Sequence, residues 1–298
     1  MARMHLTPQR KNSLRLKDGR RLAWYEWGPV TGHPVLFCTG AGMSGSLGFG
    51  AAQLDSLHLK LLSIDRPGLG DSDPHPGKTL LSWCDDVAEL LENQKIEAPL
   101  CVGFSQGAPF AFALASRGMV KALAIVSGQD DFNDPGVASL LPPQVAGFVQ
   151  LVQSRDAKFL DEFARTANAD GFFHLIVSMS SEKDRSLYDS EPFKSAYLRC
   201  LKEGFRLGPS GYIQDFLNVM APWPFDVRRI NVPVDFWYGE QDTNATHSPN
   251  FGATLSKKLP NHTYTLFKEE GGSLLWTRAE EILRKLATKL GSCSSHRG

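Results

Sequence analysis

The chain has 298 residues, 42% hydrophobic and 21% charged, the profile of a soluble globular protein with one large domain or two ordinary ones. Lys plus Arg and Asp plus Glu number 32 each, so no whole-chain field draws in nucleic acid or an anionic membrane. No apolar run approaches the ~20 residues that span a bilayer, and the positively charged start lacks the apolar core of a secretory signal. Cys38, Cys84, Cys101, Cys200 and Cys293 are odd in number and form no CxxC pair. That pattern argues against a disulfide framework or a zinc site and for reduced thiols in a cytoplasmic protein, with Cys38 and Cys101 as small core residues.

In chain order, "SLRLKDGRRLAWYEWG" predicts a hairpin, with two alternating runs flanking the turn pair Asp18-Gly19. Four short apolar runs follow, at 34–38, 59–65, 99–104 and 120–128, with the composition of buried parallel strands. Between them, Leu80, Trp83, Val87, Leu90 and Leu91 recur at helical spacing over 79–94, and the alanine-rich 106–118 ends at a glycine. Strand alternating with helix predicts a doubly wound, mostly parallel sheet. The alternation lapses between about 130 and 225, where only helical patterns stand. It resumes with a strand at 233–238, a helix near 248–258, a strand at 262–268 and a last helix at 274–290. The expected organisation is a core of 1–129 and 226–290, a helical insertion over 130–225, and a disordered tail at 291–298.

"GFSQG", Gly103 to Gly107, matches G-x-S-x-G between an apolar strand and an alanine-rich helix. On such a turn Ser105 stands in strained backbone above the sheet, and flanking side chains two positions away would collide. The backbone N–H of Gln106 can then face a developing oxyanion. An ordinary glycine-flanked βα turn would explain the glycines but not the order of the motifs that follow.

With this motif in its context the chain resembles an α/β-hydrolase of the branch that carries a helical cap, over about 13–290. "SIDRPGLGDSD" (63–73) is similar to that branch's D-x-P-G-x-G-x-S string, at Asp65, Pro67, Gly68, Gly70 and Ser72, which the resemblance makes structural supports of a loop near the site. The family's His-Gly after the third strand is replaced by Thr39-Gly40. The resemblance makes Ala41 the second oxyanion donor, beside Gln106, because the donor is backbone. It makes Asp242, in Gly239-Glu240-Gln241-Asp242 after the strand at 233–238, the acid that orients an imidazole. Asp130 and Asp131 are an alternative, since some relatives place the acid there.

The imidazole itself is expected after the last strand, where the family reads G-H or G-G-H. Here "EEGGSLLW" has Gly272 in that slot, or Ser273 if aligned on the double glycine, and neither can accept a proton from Ser105. His247 reads as a surface or capping residue, His262 stands at the wrong end of its strand, and His174 belongs to the insertion. The expectation is therefore a triad without its base, whether by engineering or by natural loss.

A serine nucleophile points to acyl transfer, with a small-molecule ester or lactone as substrate and no cofactor or metal. Amide and carbon–carbon bond hydrolysis are alternatives, as is a ligand-binding protein that no longer turns over. Phe148, Phe172, Phe173, Phe216 and Trp223 are candidates for an apolar pocket wall. Among family members the hydrolytic macrolide esterases associated with antibiotic resistance look similar in size and cap placement.

Overall fold

A computed structural model describes residues 5–244 and 246–291. The tail expected at 291–298 therefore lies, but for Gly291, outside the described residues, as does Cys293. Eight strands form one sheet: β1 (Arg10–Arg15), β2 (Arg21–Trp27), β3 (His33–Cys38), β4 (Leu59–Ile64), β5 (Leu100–Phe104), β6 (Ala122–Val126), β7 (Val234–Gly239) and β8 (His262–Phe267). Their spatial order is β1-β2-β4-β3-β5-β6-β7-β8. The β1–β2 hairpin is antiparallel, β2 joins β4 antiparallel, and every pairing from β4 through β8 is parallel. This is the α/β-hydrolase fold.

Alternate residues of the central strands feed opposite faces of the sheet. Leu36 and Cys38 join one apolar cluster with Trp83, Val87 and Leu90, while Val35 and Phe37 join another with Leu274, Ile282 and Leu283. Both faces are covered, which is why these strands read as continuous apolar runs. β2 is buried on both faces too, from Leu22 through Trp27, unlike the alternation expected for a hairpin strand. It lies between β1 and β4 and so belongs to the sheet interior rather than to an edge.

Helix Leu80–Gln94 starts at Thr79, whose hydroxyl accepts from the Ser82 amide while Ser82 reaches back to the Thr79 amide, and it buries Leu80, Trp83, Val87 and Leu90 as the spacing predicts. Between β6 and β7 stand seven α-helices and no strand. Asp156 and Asn168 punctuate the long apolar stretch by capping Ala157–Thr166 and Ala169–Met179. The helix expected near 248–258 shrinks to one turn, Ala253–Ser256, because Ser248 and Asn250 spend their side chains on loop contacts. The last helix is broken at Arg278 into Leu274–Thr277 and Ala279–Thr288. No helix among the described residues is long and apolar enough to cross a membrane.

Candidate active site

β5 ends at Phe104 and helix Gly107–Ser116 begins three residues later, with Ser105 between them at φ +51°. That backbone is costly for a residue with a Cβ. The turn tolerates it because both flanking glycines are sterically required. A Cβ at Gly103 would stand 2.8 Å from the Ala111 Cβ, and one at Gly107 would run into the Cys38 carbonyl. Helix and strands thus approach more closely than side chains allow, and the Ser105 hydroxyl is left half-buried at the carboxyl ends of the strands.

The hydroxyl does not lack a base. Ser105 Oγ lies 2.8 Å from His247 Nε2, and His247 Nδ1 lies 2.6 Å from Asp242 Oδ2. The His247 and Asp242 side chains are 7% and 3% exposed, so the pair is largely removed from bulk solvent. The expectation of a site without histidine, and the reading of His247 as a surface or capping residue, are corrected by this geometry. The imidazole comes from the loop after β7, on the same segment as the carboxylate, and not from the loop after β8. Asp242 Oδ1 accepts from the Asn244 amide, and the His247 amide donates to the Asn244 carbonyl, so the segment folds back on itself and returns the imidazole towards β5. The Asp242 carboxylate accepts the hydrogen bond of Nδ1–H, which leaves the Nε2 lone pair for the Ser105 hydroxyl. Asn244 Nδ2 also approaches Nε2, at 3.2 Å.

Asp130, the alternative acid, does not touch the imidazole. Its amide donates 2.8 Å to the His247 carbonyl and its carboxylate accepts from the Ser248 hydroxyl, so it holds the base-bearing loop by its backbone. Burial raises the Asp130 carboxyl to about 7. Asp131 packs beside it and accepts from the Asn133 amide. His262 bonds the Leu259 carbonyl at the far end of β8, and His174 is exposed on the inserted helices.

The slot after β8 has another use. The amides of Gly272 and Ser273 donate 3.0 and 2.8 Å to the two oxygens of Asp184, on the inserted helix Glu182–Tyr188. A Cβ at Gly271 would run into that carboxylate, and one at Gly272 would stand 2.9 Å from Asp242 Oδ1. The double glycine lets a carboxylate of the insertion and one of the core approach the same turn.

Ala41, Gln106 and Ser105 line one cavity of about 340 Å³ with His247, Asp242 and Gly272. Neither the Ala41 nor the Gln106 amide donates to an acceptor among the described residues. Asp65 accepts from the amides of Gly45 and Asp71, and Ser72 donates to the Asp65 carbonyl, so both brace loops below the site. Burial raises the Asp65 carboxyl to about 7.

Of the five aromatic wall candidates, Phe148, Phe172 and Phe216 line the cavity. Phe173 does not. It follows Phe172 by about 100° around its helix and packs edge-on against Tyr197 instead. Trp223 is also elsewhere, against Phe112 and Phe225. The wall is completed by Phe104, Phe163, Tyr188, Tyr197 and Tyr212, which sequence spacing did not single out. Among the described residues no group of three or more His, Cys, Asp or Glu side chains could hold a metal ion.

A mostly parallel sheet that presents a serine on a strained strand-to-helix turn, with histidine and aspartate at the same edge, defines the α/β class of hydrolases. The chain belongs to the alpha/beta hydrolase fold family, whose model matches residues 33–279. It is 25% identical over 179 residues to a proline iminopeptidase of Arabidopsis thaliana, a match covering 55% of this chain and 47% of that protein. The chain thus spans about half the length of that curated relative. Among solved structures, a thermophilic esterase from Thermogutta terrifontis superposes with a TM-score of 0.68 at 18% identity, over 96% of this chain and 100% of that one. A bromoperoxidase from Bacillus anthracis does so with a TM-score of 0.67 at 19% identity, over 95% and 100%. At these identities the likeness is one of fold.

Proposed function

We propose that the chain is a serine hydrolase of uncharged carboxylic esters or lactones with a hydrophobic body, acting through an acyl-enzyme. The observation that carries this reading is the unbroken chain from Ser105 Oγ through the His247 imidazole to the Asp242 carboxylate. In this reading Ser105 Oγ attacks the substrate carbonyl as His247 Nε2 takes its proton. The carbonyl oxygen becomes an oxyanion facing the Ala41 and Gln106 amides. The intermediate collapses as His247 returns the proton to the leaving alkoxide. Water then attacks the acyl group, again giving its proton to His247, and the acid leaves with Ser105 restored. Asp242 keeps the imidazole in the required tautomer and stabilises it when protonated. Residues 1–129 and 226–290 serve as the catalytic core and 130–225 as the cap that supplies the pocket wall.

The substrate class follows from the lining. No Lys or Arg lines the cavity, and its two carboxylates are engaged, Asp184 by backbone amides and Asp242 by His247. A free peptide amine would have no unengaged carboxylate there, which favours esters over the aminopeptidase chemistry named for the Arabidopsis relative. The volume is at the small end of the ~300–1,000 Å³ range of ligand pockets, so a compact aryl or acyl ester fits better than a glycosylated macrolide. The inactivated-enzyme and binding-protein readings rested on a missing base, and His247 removes their motive.

The test is hydrolysis of p-nitrophenyl esters from acetate to octanoate, with Ser105→Ala as control, and labelling of the protein by a fluorophosphonate. Turnover and labelling that both vanish in Ser105→Ala are expected. A wild-type protein that neither hydrolyses nor labels would sink the reading.

A further inference from the structure

Beside the cavity, but not lining it, Arg66 is fully buried. Its guanidinium donates 2.6 Å to the Thr39 carbonyl, 3.2 Å to the Thr39 hydroxyl and 2.9 Å to the Gly40 carbonyl. Its Nε donates 2.8 Å to Asp215 Oδ2, and its plane lies over the Phe110 ring. Asp215 belongs to the inserted helix Ser210–Met220 and is itself fully buried, with Lys78 Nζ 2.6 Å from its other oxygen. Lys78 is satisfied further by the carbonyls of Pro67 and Gly211. On an adjoining face the same helix presents Tyr212 and Phe216 to the cavity.

The Gly40 carbonyl and the Ala41 N–H belong to one peptide unit. That unit is trans, so its C=O and N–H point in opposite directions. A guanidinium that grips the carbonyl from the core side therefore turns the N–H towards the cavity, where Ala41 lies with Ser105 and Gln106. Position 39 carries Thr where the resemblance leads one to expect histidine; its hydroxyl donates to the Met43 carbonyl at 3.3 Å and accepts from Arg66. The two consecutive carbonyls that lead into this turn are held by one planar, bidentate cation, a geometry that a lysine ammonium cannot reproduce.

We infer that Arg66 is the positioning residue of the oxyanion site: by clamping the Thr39 and Gly40 carbonyls from below, while Asp215 fixes it from the inserted helix, it aims the Ala41 amide at the oxygen that becomes negative. The inference rests on the ester-hydrolase reading above. The Ala41 donor has no side chain of its own to hold it, and the loop around it, Gly40 to Gly42, is rich in glycine. A preorganised donor contributes to the transition state more than to substrate binding, so its loosening is read in kcat.

The experiment compares wild type, Arg66→Met, Arg66→Lys and Asp215→Asn in steady-state ester hydrolysis, together with affinity for an alkyl boronic acid that forms a tetrahedral adduct on Ser105. Arg66→Met leaves Asp215 paired with Lys78, so no carboxylate is stranded. Both Arg66 variants are expected to lose kcat by about ten- to a hundredfold, towards the loss seen on removing one oxyanion donor, with KM within about threefold. Boronate affinity falls in parallel, and the shape of the pH–rate profile is unchanged. Asp215→Asn, which removes the carboxylate that fixes the clamp from the inserted helix, is expected to lose severalfold in kcat, and Arg66→Lys, which keeps a cation beside Asp215, carries the test alone if the other variants do not fold. Folded variants with wild-type kcat and boronate affinity, differing only in melting temperature, would overturn the inference while leaving the hydrolase reading intact. Inertness of wild type and Ser105→Ala alike would overturn both.

Discussion

Asp242 and His247 are five residues apart on one loop and share a 2.6 Å hydrogen bond. Acid and base are therefore delivered to Ser105 as a unit by β7, two strands away from β5 in the sheet. Distances inside the pair depend on local loop geometry and not on the relative placement of two strand ends.

His247→Ala is expected to abolish turnover, with a loss on the order of 10⁴–10⁶ in kcat and little change in KM. Asp242→Asn should cost on the order of 10⁴, because the amide favours the wrong imidazole tautomer. Steady-state kinetics on one p-nitrophenyl ester suffices. Wild-type rates in His247→Ala would require another base.

Placing histidine at the empty slot is expected to harm the enzyme. In Gly272→His the new Cβ would stand 2.9 Å from Asp242 Oδ1, and the side chain would crowd the turn that holds Asp184. A lower kcat than wild type, and no recovery of activity in the His247→Ala background, are the expected outcomes. Asp184→Ala should cost about 2–6 kcal/mol, from two buried amides left without an acceptor at about 1–3 kcal/mol each, measured by denaturant unfolding.

Stability should depend on pH through Asp130. Burial raises its carboxyl to about 7, well above the 3.8 of an exposed aspartate. Between those values the folded state holds a proton that the unfolded chain has released, so stability falls as pH rises through this window and stays lower above it. Asp130→Asn keeps a neutral acceptor for the Ser248 hydroxyl. It is expected to gain stability relative to wild type at pH 8.5 and to show no such gain at pH 4. Parallel denaturation midpoints at the two pH values check the sign.

The two kinds of aromatic residue separate cleanly. Phe148→Ala enlarges the cavity wall and should shift preference towards longer acyl chains, seen as a changed ratio of kcat/KM for octanoate over acetate. Trp223→Ala should cost about 3–5 kcal/mol of stability and leave that ratio alone, because its ring packs on Phe112 and Phe225 away from the cavity.

Much of the fold was legible because its signals are local. The apolar runs that became β3 to β6 are covered on both faces, and the face of helix Leu80–Gln94 follows from spacing alone. The turn around Ser105 was legible for the same reason, since Gly103 and Gly107 are demanded by contacts within one strand-turn-helix unit and its neighbour strand. Phe173 was misplaced because periodicity gives a helix two flanks without saying which one meets the cavity. His247 was misread because an isolated histidine in a polar loop carries no pattern. One signal could have found it: of the histidines, it alone combines a position just past the carboxyl end of a central strand with a near neighbour, Asp242, already assigned to the site.

By itself the amino-acid sequence determined a doubly wound α/β sheet with a long helical stretch before its seventh strand, a serine on a glycine-flanked turn, an aspartate after β7, and a double glycine after β8. These are properties of short segments, set by backbone sterics and by the two-residue and 3.6-residue periods of strand and helix. The tertiary structure decided which imidazole meets Ser105, what the turn after β8 holds, and what grips the Gly40 carbonyl. Those depend on how a loop folds back across neighbouring strands and on buried polar groups finding partners from distant segments. Arg66 with Asp215, and Gly272 with Asp184, are pairs of that kind, 149 and 88 residues apart along the chain. A buried charge or amide must be matched by whatever the completed fold brings to it, and no local pattern records that choice.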